Sequence, residues 1–232
     1  MPTFPTTSKR LNHRFGASKF TTMRYLTITL ICGFVATGFS AEVSLDLKAM
    51  DATLEKIAAH AKGFPPTFAS AAERKQTEHD LKAAIKVLDA AVGQYPHDPE
   101  LLFRDGYANA MGQHLDLPGC DQQFIKAFEE FLKLKPNDKK GNFLYGGFLA
   151  ATATRQKDCV PYLKKAIELG EPDAHYTLAF HYLTQQNKEQ AIHHLTEYAK
   201  AYPDEAAAIK AKIAAIKEAN IKVKREGPPS NK

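Results

Sequence analysis

One hydrophobic spacing recurs along the chain. Ala84, Leu88, Ala91 and Pro96 are separated by four, three and five residues, and the same intervals separate Phe124, Phe128, Phe131 and Pro136, then Ala191, Leu195, Tyr198 and Pro203. Steps of four and three put three side chains on one face of a helix. A proline then ends the helix, because it lacks an amide hydrogen and disfavours helical geometry in the residue before it. The prolines lie 40 and then 67 residues apart, and the longer gap predicts a further copy, which Cys159, Leu163 and Ala166 supply before Gly170 and Pro172. Gly106, Gly146 and Ala179 move in step, 40 and 33 residues apart, each on the preceding helix, where a missing side chain lets two helices approach closely. Asp98-Pro99, Asn137-Asp138 and Glu171-Pro172 supply the helix starts.

These signals predict an ordered series of helices. Residues 42–62 form a leading amphipathic helix, stopped by Gly63 and the Phe64-Pro65-Pro66 break. Thr67–Tyr95 holds a first helix pair with a poorly formed first member. Pro99–Met111 with Asp121–Lys135, Lys139–Thr154 with Asp158–Leu169, and Asp173–Thr184 with Lys188–Tyr202 are three further pairs. Residues 206–223 form a terminal cap helix with Ile209, Ile213 and Ile216 on one stripe, and 224–232 is a disordered tail.

The pattern resembles tetratricopeptide repeats, whose period is about 34 residues. Pro172–Glu205 matches best, through Leu178-Ala179, Tyr182, Ala191, Leu195 and Pro203, and the stretch from Leu163 to Ala179 is similar to the related Sel1-like variant. The resemblance implies an all-α fold, a right-handed superhelical solenoid of helix-turn-helix repeats with a terminal cap helix, and about four repeats over residues 65–205. Phe124 stands where the family usually has alanine, and Asp105 where it usually has leucine.

Charge changes the picture at the N-terminus. Residues 1–41 contain no Asp or Glu but hold Lys9, Arg10, Arg14, Lys19 and Arg24. Taking those five from the 31 Lys and Arg leaves 26, equal to the 26 Asp and Glu, so the rest of the chain is neutral. A neutral body argues against nucleic-acid binding, which needs a concentrated cationic surface. Arg24, the apolar run Tyr25–Phe39 and Gly38-Phe39-Ser40 read as a signal peptide over residues 1–40, cut ahead of Ala41, with Met23 the favoured true start. The run is too short to span a bilayer comfortably, so no stable membrane anchor is expected after cleavage. The expected location is the periplasm or the extracellular space, with a mitochondrial presequence as the alternative.

Catalytic motifs were sought and none stands out: HExxH, Gly-x-Ser-x-Gly, a phosphate-binding glycine loop and CxxC are all missing from the sequence. His175 and His181 are six apart, on different helix faces, which argues against a metal site, and no cofactor is expected. Cys120 and Cys159 precede or open the second helices of adjacent repeats; an exported disulfide and two buried thiols are both open readings. The first helix of each pair (helix A) lines the concave groove in tetratricopeptide domains. Three residues before each small marker stand Phe103, Phe143 and Tyr176, and one after it Tyr107, Gly147 and Phe180. Internal packing explains such a stripe, and so does an apolar peptide groove. The resulting expectation is a non-enzymatic, exported scaffold binding a protein or peptide through its helix-A face, with a structural component of a cell-envelope assembly complex as the alternative.

Overall fold

A computed structural model describes residues 26–29 and 42–218. The expected cleavage site, Cys32 and residues 219–232 lie outside the described residues. Two strands come first: β1 (Leu26–Thr29) pairs antiparallel with β2 (Glu42–Leu45), with Leu26 opposite Leu45. The pairing was not expected, since β1 falls inside the apolar run and β2 where the leading helix was placed. Asp46 then starts that helix by accepting from the amides of Lys48 and Ala49.

Among the described residues the remaining regular elements are helices, and two compact units divide after Leu134. The first unit holds α1 (Leu47–Ala61), α2 (Ala71–Gln94), α3 (Pro99–His114) and α4 (Cys120–Leu134). The second holds α5 (Lys139–Ala151), α6 (Cys159–Glu168), α7 (Asp173–Thr184), α8 (Lys188–Ala201) and α9 (Ala206–Glu218). The helices of α3–α4, α5–α6 and α7–α8 pack against each other as successive pairs, as the spacing predicts.

The first pair differs from expectation. Thr67–Tyr95 is not a helix pair: one 24-residue helix, α2, starts at the Ser70 cap and runs unbroken to Gln94. Its missing partner is the leading helix α1, which packs on it through Leu54, Ile57 and Ala61. Helix propensity and the Ser70–Glu73 capping pair outweigh the weak hydrophobic break that the sequence offers before Leu81. Alpha-1 and α3 then run parallel in constant register: Arg104 bonds Asp51, and His114 Nδ1 donates to the carbonyl of Ala61, both pairs 53 residues apart.

The small markers act as the spacing requires. A methyl group on Gly106 would lie 2.5 Å from the Phe128 ring, and one on Gly146 would lie 2.8 Å from Leu163. Leu88, Phe128, Leu163 and Leu195, the middle residues of the four copies, are all buried. Each is a knob seated on its partner helix. The six-residue excess in the second repeat lengthens α3 to His114 and adds a turn through Asp116 and Gly119, both at positive φ. Leu115 folds back from this turn into the core. At the far end, Ile209 and Ile216 of α9 are buried with Leu195 and Tyr198, with Ile213 partly buried beside them.

Candidate functional site

All six candidate groove residues are half-buried: Phe103, Tyr107, Phe143, Gly147, Tyr176 and Phe180. None is sealed in the core and none stands fully in solvent. In the first unit, Phe103 stacks near Tyr107, with centroids 6.4 Å apart, and meets the Phe128 and Phe131 rings of α4 at 5.7 and 5.3 Å. In the second, Tyr176 packs on Phe180 at 4.8 Å and on Tyr198 of α8 at 5.0 Å. Packing against helix B and partial exposure therefore coexist in the same side chains. The Tyr176 hydroxyl is buried without a hydrogen-bond partner. Gly147 differs from Gly146 beside it: an added methyl group there would meet no atom within 4 Å. It is a notch between Phe143 and the next turn of α5.

Two buried polar groups flank these faces. Asp105 sits on α3 at 3 % exposure and accepts from Asn109 Nδ2 at 3.1 Å. Burial, reinforced by the negative charge of Asp89 and opposed by Lys126, raises its pKa to about 7. This is the position where leucine is usual, so the departure visible in the sequence marks a polar group in the core. Arg104, beside it, donates from Nε and Nη2 to the two Asp51 carboxylate oxygens, at 2.6 and 2.8 Å, and from Nη1 to Glu100.

The second polar group is a histidine pair. His175 of α7 and His194 of α8 face each other with their Nδ1 atoms 2.8 Å apart. His194 is 6 % exposed, and Tyr182 stacks on its ring at 5.5 Å. Burial, with the nearby His175, His193 and Lys164, lowers its pKa to about 4. Reading His175 against His181 along one helix missed this pair. The signal was available across the hairpin, because His175 and His194 stand at similar distances on either side of the turn after Thr184. Among the described residues no group of three or more His, Cys, Asp or Glu side chains is arranged to hold a metal ion.

The disulfide that the spacing left open is not formed: Cys120 and Cys159 are free and buried. Cys120 is already used within its own unit, where its sulfur fills the space over Gly112. Burial pushes both thiols up to about 11, so neither is poised as a nucleophile. An open cleft of about 400 Å³ lies between α1 and α2, lined by Met50, Thr53, Lys56, Ile57, Asp80 and Val87, and none of the stripe residues reaches it. Among the described residues no helix is long and apolar enough to cross a membrane.

No family model matches the chain. A stretch of 100 residues, 43% of this chain, is 30% identical to the aspartyl/asparaginyl beta-hydroxylase of Mus musculus and covers 13% of that protein. The chain thus spans only about an eighth of that relative's length. Among solved structures, MamA aligns with a TM-score of 0.49 at 18% identity, over 66% of this chain and 97% of MamA. YrrB, a TPR protein with an unusual peptide-binding site, aligns with a TM-score of 0.37 at 16% identity, over 72% of this chain and 98% of its own.

Proposed function

We propose that this chain is an exported, non-enzymatic scaffold that binds a protein or peptide segment through the helix-A faces of its repeats. The observation that carries the reading is the choice of aromatic residues at these partly exposed positions together with the open space at Gly147. Phe103 and Tyr176 lean on helix B with one side partly exposed, Phe143 and Phe180 are likewise partly exposed on α5 and α7, and Gly147 leaves an open notch one turn from Phe143. Rings held from behind lose little entropy on binding and supply large apolar contact area. The acid-free leader with its apolar run is what supports export.

Selection from a displayed peptide library on immobilised residues 42–232 supplies a ligand for the test. Anisotropy titrations then compare the parent with Phe143→Ala and Phe180→Ala. The expected result is at least about tenfold weaker binding, the equivalent of 1.4 kcal/mol, with folding retained. Unchanged affinity per folded molecule for both variants refutes the groove. Export is checked separately by N-terminal sequencing of protein from its native compartment. Cleavage ahead of Ala41 is expected, and an intact Met1 or Met23 sinks that part.

A further inference from the structure

The binding reading leaves the buried histidines of the fourth helix pair without a role. Four histidines, His175, His181, His193 and His194, sit on just two helices, α7 and α8. The contact between His175 and His194 joins the two helices of the hairpin directly. A hydrogen bond between two Nδ1 atoms needs one of them to keep its lone pair. The neutral pair satisfies this, with one ring donating and the other accepting. One added proton on the partly exposed His175 still leaves His194 as acceptor. A second proton, on His194, leaves two N–H groups pointing at each other across 2.8 Å, with both charges held inside the hairpin.

The surroundings decide how hard that second proton is to accommodate. His193 lies beside His194 on α8, with ring centroids 5.2 Å apart, and Lys164 faces the pair from α6. Both disfavour further positive charge. Tyr182 of α7 covers the His194 ring with an apolar face. Glu197 is the opposing group, but its carboxylate is already bonded to Lys200 at 2.7 Å. His181, at 7 % exposure and with Nδ1 unpartnered, is another imidazole kept neutral by burial.

We propose that the α7–α8 hairpin is an acid-sensitive latch: the neutral His175–His194 bond clamps α7 to α8, and double protonation unlatches them, loosening the face that carries Tyr176 and Phe180. The sign follows from linkage. A base whose pKa falls on folding is charged first in the open state, so its contribution is complete above the unfolded pKa and is lost as pH drops toward the folded one. With His194 moving from 6.5 to about 4, the window runs from about pH 6.5 down to about pH 4. The first unit supplies an internal control, because the pKa of Asp105 rises on folding, so its linkage has the opposite sign and acid favours the folded state there. Release of a bound partner in acid rests on the binding reading above; opening of the hairpin is read without any partner.

The test is amide hydrogen exchange on the full chain at pH 7 and pH 5, with rates corrected for intrinsic exchange. Alpha-7 and α8 should lose protection by about twentyfold at pH 5, the factor expected from His194 alone, while α3 and α4 keep theirs. The double variant His175→Asn with His194→Asn replaces the pair by side-chain amides that do not titrate, and most of the pH 5 loss should disappear, leaving only what the buried His181 contributes. Should that variant fail to fold, imidazole titration of the parent by NMR decides. A His194 midpoint well below 6, shared with the loss of α7 and α8 protection, supports the latch. Unchanged protection at pH 5 in the parent, an equal loss in the double variant, or a His194 midpoint at the ordinary 6.5 overturns it.

Discussion

Replacing Asp105 with Asn should stabilise the protein at neutral pH and leave it almost unchanged in acid. The carboxyl is 3 % exposed on α3, with one side-chain donor, Asn109 Nδ2, and with Asp89 as a negative neighbour. Its proton is therefore held up to about pH 7 in the folded chain against 3.8 ordinarily. An acid whose pKa rises on folding gives the reverse of the usual carboxylate behaviour. Between those two values the folded state keeps a proton that the unfolded state has released, so stability falls as pH rises and levels off above pH 7. Three pKa steps at 1.36 kcal/mol each put the loss between pH 4 and pH 7.5 at about 4 kcal/mol, an upper figure because local relaxation lets water reach the charge. Asn mimics the protonated acid in shape and removes the titration. Asn109 keeps a partner in either case, since Nδ2 also donates to the Asp105 backbone carbonyl at 2.9 Å. Urea midpoints for parent and Asp105→Asn, taken every half unit from pH 4 to pH 8, read the difference directly. Using the difference cancels the histidine contribution, which has the opposite sign. A gap that does not widen with pH, or one that favours the parent at pH 7.5, refutes the assignment of a buried neutral acid.

Two other perturbations test the packing. Gly146→Ala pushes a methyl group to 2.8 Å from Leu163 and 3.1 Å from its backbone nitrogen, and should cost about 1–3 kcal/mol by overpacking. Gly147→Ala meets open space and should be neutral or stabilising by up to about 1 kcal/mol from helix propensity, so thermal melts of the two neighbours should move in opposite directions. Cys120 and Cys159 should resist alkylation at pH 8 in the native protein and react fully in denaturant, since both are buried with pKa near 11. Peptide mass mapping reads each site, and rapid native labelling of either would contradict the packing described here.

The helix pairs were legible because their signals are local. Three spaced apolar residues, a stop and a capped start each act within one or two turns, and the observed α7 has the bounds that those signals predict. The first pair was misread because α2 offers no strong break and its partner lies on the far side of the Phe64-Pro65-Pro66 segment, outside any repeat-length window. Beta-1 and β2 pair across a dozen residues through a register that no local pattern announces. The Arg104–Asp51 bond has no local signal because it joins distant helices, and the histidine pair shows only when residues are matched across the α7–α8 turn instead of along one helix. Asp105 was legible as a departure from the family pattern, but its burial came only with the structure.

The stripe and the packing markers are products of one constraint. A residue of one methyl group or none at 106, 146 or 179 lets the knob of helix B sit against the helix A backbone. Side chains three before and one after that point then lie beside the knob and cannot turn fully inward, because the knob occupies the space. Large rings at those positions are forced to lean along helix B, as Phe103 leans on Phe131 and Tyr176 on Tyr198, with their outer edges left open. Partial exposure alone therefore does not distinguish a groove from packing; any large residue there would show it. Tyr107 packs on the core of the first unit, but packing does not require the aromatic choice at Phe180, or the absence of a side chain at Gly147, where an added methyl group would touch nothing. Under the groove reading, Phe180 and Gly147, more than the rings that lean on helix B, are where a bound segment would leave its physical signature.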